Sequence, residues 1–170
     1  MQSIEIMGHP RFFYEFAAYR KGILVWKDSF YNVVCTVAKN NVLDVYFQSG
    51  SFAPSTTWYM GVIDNLNYTT GPAEGDTQSS HGGWVESIAY NEVTRPSISW
   101  AAASGKAKAS ASTCNFTMSA DAIIRGGFIT NNNTKGGTSG LLYSAGVFNQ
   151  GTRSLLTGDV LRVNVTVSVT

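Results

Sequence analysis

Charged side chains are scarce in this sequence. Asp, Glu, Lys and Arg make up 14% of its 170 residues, whereas an ordinary soluble domain has about 25%. The polar surface must therefore consist mainly of Ser, Thr, Asn and Gly. Such a surface gives up little ionic hydration when two molecules meet. The composition favours a protein that adheres to other subunits over an enzyme that acts alone.

Three further features are missing, and each one excludes a class of function. The net charge is only +1, whereas nucleic-acid-binding domains usually carry a basic patch, so no direct contact with nucleic acid is expected. No apolar run approaches the roughly 18 residues that a membrane-spanning helix requires. The segment from Met1 to Phe13 also lacks the basic-then-apolar order of a signal peptide. We therefore expect no membrane partner and no export by a signal peptide.

Cysteine is rare as well. Cys35 and Cys114 are too few for a disulfide framework and lack the spacing of metal ligands. Free cysteine behaves as a small apolar residue. We expect two buried thiols, with a single disulfide bridge as the alternative.

The first fifty residues predict a hairpin followed by a helix. Aromatic residues alternate over residues 12–19, Lys21-Gly22 suits a tight turn, and residues 23–30 alternate again, which is the pattern of a β-hairpin. Over residues 33–47 the apolar spacing changes to three and four, as on one face of a helix. Gly50 then lies near the helix C-cap. The predicted apolar face consists of Val34, Val37, Ala38, Val42, Val45 and Tyr46.

The rest of the chain reads as β-structure. Residues 57–63 form a strand that is apolar on both faces, residues 64–83 form a long loop, and residues 84–90 suit either a strand or one helical turn. Five more segments have strand composition and are joined by Gly- and Asn-rich connections. These segments are residues 97–103, 111–118, 122–130, 140–148 and 160–169.

Together these patterns predict a mainly β fold, an antiparallel, jelly-roll-like β-sandwich with an N-terminal hairpin and one short helix. We expect residues 1–50 to form a unit that packs on or extends from the core, and residues 51–170 to form the sandwich. The tryptophans lie within apolar runs, so we expect them in the core more often than on a sugar-stacking surface.

No reaction centre is visible in the sequence. The richest segment holds Asp76, Ser80 and His81 among glycines, but it lacks the G-x-S-x-G elbow of a hydrolase. We expect Asp76 to cap a turn and His81 to bond to backbone. His9 and His81 are too far apart for a zinc motif, and no acidic run has the order of a calcium loop. No catalytic residue, metal or cofactor is therefore predicted.

The order of short motifs along the chain resembles a group of small proteins encoded by tailed bacteriophages and prophages. The resemblance extends from about Phe12 to the C-terminus. The motifs are Leu24-Val25-Trp26, Phe30-Tyr31-Asn32, Val42-Leu43-Asp44, Thr57-Trp58-Tyr59-Met60-Gly61, Gly75-Asp76-Thr77, Ser80-His81-Gly82-Gly83-Trp84-Val85-Glu86, Thr94-Arg95-Pro96, Ile124-Arg125-Gly126-Gly127-Phe128, Lys135-Gly136-Gly137-Thr138-Ser139-Gly140-Leu141-Leu142 and Gly158-Asp159-Val160-Leu161.

This resemblance implies a virion protein, by analogy a head decoration or cement protein. Its partners would be the major capsid protein and other copies of itself, as a dimer or trimer. It would be made in the cytoplasm of the bacterial host and would lie on the exterior of the capsid. One alternative is a glycan- or receptor-binding module of a tail or head fibre, and another is an enzyme acting on the cell wall through residues 76–86.

Long polar loops are where proteins usually make contacts. We therefore predict that residues 64–83 and 131–137 contain the interface. The candidate residues are Asp64, Asn67, Tyr68, Asp76, His81, Trp84, Asn131, Asn132, Asn133 and Lys135.

Overall fold

The computed structural model describes residues 10–47 and 54–169, which form eleven strands and one helix. In chain order the elements are β1 (Arg11–Arg20), β2 (Ile23–Tyr31), β3 (Val33–Val34), α1 (Thr36–Tyr46), β4 (Trp58–Asp64), β5 (Ser97–Ile98), β6 (Ala107–Ala109), β7 (Cys114–Thr117), β8 (Ala122–Thr130), β9 (Leu142–Val147), β10 (Arg153–Leu155) and β11 (Val160–Ser168). The strands form two antiparallel sheets, which confirms the predicted β-sandwich with one short helix.

The first sheet is built around β1. Its strand order is β2-β1-β11, and both β6 and β7 pair with the far side of β11. Strands β1 and β11 run antiparallel in unbroken register from Arg11↔Ser168 to Tyr19↔Val160. The turn into β2 is made by Lys21 and Gly22, whose φ angles are 49° and 80°, as two-residue hairpin turns require. The predicted N-terminal hairpin is confirmed.

The second sheet has the strand order β3-β9-β8-β4-β5, and β10 pairs with β8 beside β9. The chain crosses between the two sheets at Asn32, which follows β2 and donates its N–H to Phe12 O at 3.2 Å. It crosses again after β5, where Trp100 forms a bridge with Ser110 and Ala101 N–H donates to Ala109 O at 2.9 Å. Strands that change sheets in this way close the corners of a sandwich.

The core between the sheets follows directly from the two-residue period of the strands. Alternate residues of β1, from Phe12 to Ala18, are at most 4% exposed, because side chains on a strand point to opposite faces in turn. The hydroxyl groups of Tyr14 and Ser144 form a buried hydrogen bond of 2.5 Å between the two sheets. Burial raises the pKa of Tyr14 well above its usual value, so this phenol stays neutral and satisfied.

The second sheet is buried on both faces. Met60 and Val62 of β4 join the core between the sheets, whereas Ile63 and Phe128 pack on the opposite face in a second apolar cluster with Trp84. The predicted burial of residues 57–63 on both sides is confirmed. A layer of non-strand chain therefore has to cover this outer face.

The helix is shorter than predicted, and its apolar face is covered mainly at its start, where Ala38 is buried and Val37 packs against the second apolar cluster. Val33–Val34 form β3 and pair with β9, so α1 begins only at Thr36. These β-branched residues favour the extended conformation where a neighbouring strand is available. Ala38 is the one buried residue of α1, while Tyr46 is 80% exposed. Gly50 and the predicted boundary between residues 50 and 51 lie outside the described residues.

Four more segments differ from the sequence prediction. The strand predicted for residues 97–103 covers only Ser97–Ile98. Residues 84–90 form neither a strand nor a helical turn, but make isolated bridges at Ile63↔Glu86 and Tyr90↔Met118. Strands β6 and β10 were not predicted. Each has only three residues, which is too short to show an alternating pattern.

Both cysteines are free thiols, as predicted. Cys35 immediately precedes α1 and is fully buried, and Cys114 begins β7 and is 3% exposed. Burial raises the pKa of each thiol to about 12. Neither residue is therefore a reactive thiolate near neutral pH.

Gly61 allows a test of the packing on the outer face of the second sheet. A Cβ at this position would overlap the Phe128 ring, whereas a Cβ at Gly75 would meet nothing within 4 Å. We expect Gly61→Ala to lower the free energy of unfolding by about 1–3 kcal/mol through overpacking. Urea denaturation of both variants measures this difference. Equal stability of Gly61→Ala and Gly75→Ala would contradict the packing described here.

Asp159 predicts a pH dependence of stability. Its carboxylate accepts two 2.8 Å hydrogen bonds from Arg20 and one of 2.9 Å from Leu156 N–H, and the Arg20 bonds lower the Asp159 pKa. The pKa of Asp159 is therefore lower in the folded protein than in the unfolded chain, where an aspartate has a pKa of about 3.9. The stabilisation from Asp159 is complete above the unfolded pKa and is lost as the pH falls through the folded pKa.

We therefore expect Asp159→Asn to lower the melting temperature at pH 7, and the difference from wild type to narrow below about pH 4. Thermal melts of both proteins at several pH values from pH 7 to below about pH 4 measure this difference in melting temperature. Asp44→Asn, at an exposed position of α1, is the control. A constant gap between Asp159→Asn and wild type at every pH would rule out the assigned linkage.

Candidate interaction surface

The two predicted contact loops belong to one continuous layer. We use the term loop layer for residues 64–96 and 131–141, which cover the outer face of the second sheet. Arg95 N–H donates to Asn133 O at 2.9 Å, and the Gln78 side-chain amide donates to Gly137 O at 3.0 Å. These bonds join segments more than 35 residues apart in the chain. The structure thus brings together the loops that the sequence predicted separately.

A buried ion pair lies at the centre of the loop layer. Arg95 is 1% exposed, and its Nε and Nη2 atoms donate to the two carboxylate oxygens of Glu86 at 2.9 and 2.7 Å. Its Nη1 donates to Asn132 O at 2.8 Å, and Nη2 also donates to Gly137 O at 2.9 Å. Such a two-pronged pair is strong and directional. Arg95 therefore clamps residues 131–137 to the segment that holds Glu86.

The Glu86 carboxylate accepts hydrogen bonds from several groups. Besides Arg95, it accepts the Gly136 N–H at 2.7 Å and the Tyr90 hydroxyl at 3.4 Å. Lys135 lies next to this group, with Nζ donating to Tyr90 O at 2.8 Å and lying 4.4 Å from the centroid of the Tyr90 ring. A buried ion pair is stable only when its remaining donors and acceptors find partners, and here most of them are backbone groups of the loops themselves.

Trp84 fixes the other end of the layer. It is 2% exposed, and its indole N–H donates to Asp76 Oδ2 at 2.9 Å. The same oxygen accepts the Ala73 N–H at 3.0 Å. The His81 ring stacks on Trp84 with centroids 3.9 Å apart, and its Nδ1 bonds to Trp84 O at 2.9 Å. The predicted turn-capping role of Asp76 and backbone bond of His81 are both confirmed.

Every charged side chain of the loop layer is bonded within the chain. The layer contains six charged residues between positions 64 and 96 and one between 131 and 141. The partners are Leu66 N–H for Asp64, Lys39 for Glu74, Ala73 N–H and Trp84 for Asp76, Arg95 for Glu86, Thr117 N–H for Glu92, and Tyr90 O for Lys135. The layer therefore presents few uncommitted charges to an approaching partner.

Apolar side chains stand out from this weakly charged surface. Val93 is 88% exposed, Leu66 68%, Ile88 59% and Val85 39%. Many residues of the same segments are exposed Thr, Ser, Asn and Gly. A few apolar anchors in a polar, uncharged surround are typical of the core and rim of a protein interface.

The predicted interface residues differ in how much of their surface a binding partner could reach. Asn67 and Asn133 are exposed, and Asn67 has a φ of 59° at a loop tip. Tyr68 is half-buried beneath the Arg125 guanidinium at 4.5 Å. Trp84, by contrast, is enclosed by the protein's own core, so its ring offers no surface to a partner in this conformation.

Asn131 and Asn132, which follow β8, organise the loop through their side chains, whereas Asn133 is exposed. Asn131 Oδ1 accepts the Leu141 N–H at 2.7 Å, and its amide donates to Ser55 Oγ at 3.1 Å. Asn132 Oδ1 accepts the Thr134 N–H at 2.8 Å. Side-chain hydrogen bonds of this kind take the place of the backbone hydrogen bonds between strands, which a loop lacks.

Sequence reasoning missed Arg95, the residue that holds the loop layer together. Its partners are 9 to 42 residues away along the chain, so the motif Thr94-Arg95-Pro96 does not indicate what Arg95 binds. The one available signal was the rarity of charge, because an arginine in a weakly charged chain is a strong candidate for a specific partner.

Comparison of the chain with protein-family models finds no match. A search of curated protein sequences finds none either. Within residues 10–47 and 54–169, no group of three His, Cys, Asp or Glu side chains is placed to hold a metal ion. No helix in this part of the chain has the length and apolar character needed to cross a bilayer.

Arg95 and Glu86 can be tested by substitution. We expect Arg95→Met to lower the free energy of unfolding by about 3–5 kcal/mol, because it leaves the Glu86 carboxylate buried without its partner. The double variant Arg95→Met/Glu86→Leu should lose less than the sum of the single variants. Chemical denaturation measures both, with Arg11→Met at an exposed position as control. A loss for Arg95→Met no larger than that for the control would show that the pair does not hold the loops.

Proposed function

We propose that this chain is a structural, non-enzymatic virion protein of a tailed bacteriophage. Its role would be that of a capsid decoration or cement protein, which binds the major capsid protein on the outside of the head. The observation that carries this proposal is the loop layer, whose charged side chains are all committed within the chain while Val93, Leu66 and Ile88 are exposed. The motif order described above supplies the phage setting.

Physical reasoning supports adhesion through this surface. Binding costs free energy when loops must be ordered and charges must be dehydrated. The Arg95–Glu86 pair already orders residues 131–137 in the folded protein. The free-energy cost of ordering this loop is therefore met during folding and does not weaken binding. The Arg95–Glu86 pair is already removed from water, whereas Glu74 remains exposed. An interface of standard size, about 1,600 Å², could then bind tightly.

Copy number would add to this affinity. A decoration protein repeats over the surface of the shell, and each dimer or trimer can bind several neighbouring capsid subunits at once. Multivalent attachment raises the overall affinity by about 10²–10⁴ without any new contact. Closed two-fold or three-fold symmetry is the default for self-association.

Quantitative mass spectrometry of purified virions tests the proposal. We expect hundreds of copies per particle, as repeated attachment to a capsid lattice requires. Absence of the chain from purified particles would refute the assignment.

Paired substitutions test the surface itself. Val93→Asp places a carboxylate on the loop layer, and Val25→Asp places one on β2 of the first sheet, where Val25 is 44% exposed. We expect Val93→Asp to reduce the copy number on particles about tenfold or more, because a buried unpaired charge is costly at an interface. Val25→Asp should bind normally. Both variants should melt like wild type, and equal occupancy of the two would exclude the loop layer as the attachment surface.

A further inference from the structure

The outer face of the first sheet differs from the loop layer in its charges. Glu15 of β1, Lys27 of β2 and Arg162 of β11 are all exposed on this face, and none forms an ion pair with a described residue. The Arg162 guanidinium lies 4.5 Å over the Tyr19 ring. The charges of this face thus remain available for an external ligand.

These residues line a depression of about 470 Å³, within the 300–1,000 Å³ range of small-molecule sites. Its floor is the small side chain of Ala17, which is paired with Lys27 on one side and with Arg162 on the other. Neighbouring strands lie about 4.8 Å apart, so the backbones that carry the two cations are about 10 Å apart across the floor. Alanine at the centre leaves the space between the two cations open.

Polar groups surround the cations. Glu15 lies two residues from Ala17 on the same face and is paired with Ser29 and Asn164 in the adjoining strands. Thr113, Tyr19, Phe16 and Asp28 complete the lining, and the Asp28 carboxylate is already paired with Arg153. Lys27 and Arg162 can bind a carboxylate, while Glu15, Ser29 and Asn164 offer acceptors and donors to hydroxyl groups.

We propose that this depression binds an acidic saccharide, a sugar ring that carries one carboxylate among its hydroxyl groups. The two cations would bind the carboxylate, and the Glu15 side chain would accept hydrogen bonds from ring hydroxyls. Glu15 also repels a second anionic group placed beside the first. The arrangement therefore selects a singly charged polyhydroxylated ligand over a polyphosphate or a heavily sulfated chain.

The proposed affinity is low for one site. The cations are exposed, and exposed charge interactions contribute little free energy each, so we expect a dissociation constant of about 1 mM. Many copies on one particle would make such a site effective. The depression and the loop layer lie on opposite faces of the sandwich, so a subunit attached through one face would display the other. The inference does not depend on the virion assignment.

An NMR titration of the ¹⁵N-labelled protein tests this site with three probes: glucuronate, glucose and acetate. We expect glucuronate to shift the amide signals of Ala17, Lys27 and Arg162, and glucose and acetate to act at least about tenfold more weakly. Arg162→Gln and Lys27→Gln should each weaken glucuronate binding about fivefold or more. Ala17→Leu should abolish it by filling the floor. Lys21→Gln, at the hairpin turn, removes the same charge outside the depression and should have no effect.

Each opposing result overturns the proposal. Equal shifts with acetate would mean binding of a carboxylate alone, and equal shifts with glucose would mean that the cations play no part. No shift with any probe up to about 50 mM would mean that there is no site. A fourth titration uses heparin, and tighter binding of heparin per disaccharide unit than of glucuronate would refute the selectivity assigned to Glu15. The decoration role is tested separately, because Arg162→Gln should still occupy particles at the wild-type level.

Discussion

The bidentate ion pair between Arg95 and Glu86 is the interaction on which the outer half of the molecule depends. The second sheet is apolar on both faces, so one of them would be exposed to water without the loop layer. Loops carry few backbone ladders of their own, and here an arginine supplies the missing order by binding two loop carbonyls as well as a carboxylate. One ion pair therefore holds the loops in place, as the backbone hydrogen bonds of a longer strand would otherwise do.

The distribution of charge divides the molecule into two chemically different faces. In the loop layer, the Arg95–Glu86 pair is buried, and Glu74, which pairs with Lys39, is an exposed charge among apolar and uncharged polar side chains. On the first sheet, the outward positions of β1, β2 and β11 keep their charges in solvent. Low overall charge thus has two consequences, a surface suited to burial against protein and a surface on which the few remaining ions stand out.

The sequence was most informative where the chain follows a simple period. The alternation in β1 and β11 predicted strands with one buried face, and Lys21-Gly22 predicted the hairpin turn, because both signals depend only on neighbours in the chain. The predicted helix began too early, because Val33 and Val34 form a strand that pairs with β9, a partner more than a hundred residues away. Of the loop layer, residues 131–137 and nearly all of residues 64–83 were predicted correctly as polar loops, whereas residues 84–90 were not. The role of Arg95 was not predicted, because Arg95 binds carbonyl groups of a distant connection. The phage resemblance and the position in the virion stay predictions.

The pairing of β1 with β11 has a consequence for biosynthesis. Arg11 lies opposite Ser168, so the central pair of the first sheet joins segments separated by almost the whole length of the chain. Proteins dominated by such distant pairings fold slowly. While the ribosome is still translating the middle of the message, β1 can pair with β2 alone, and its aromatic inner face has no opposing sheet. The nascent hairpin must therefore remain unaggregated until β11, about 140 residues after β2 begins, has been synthesised and can complete the first sheet.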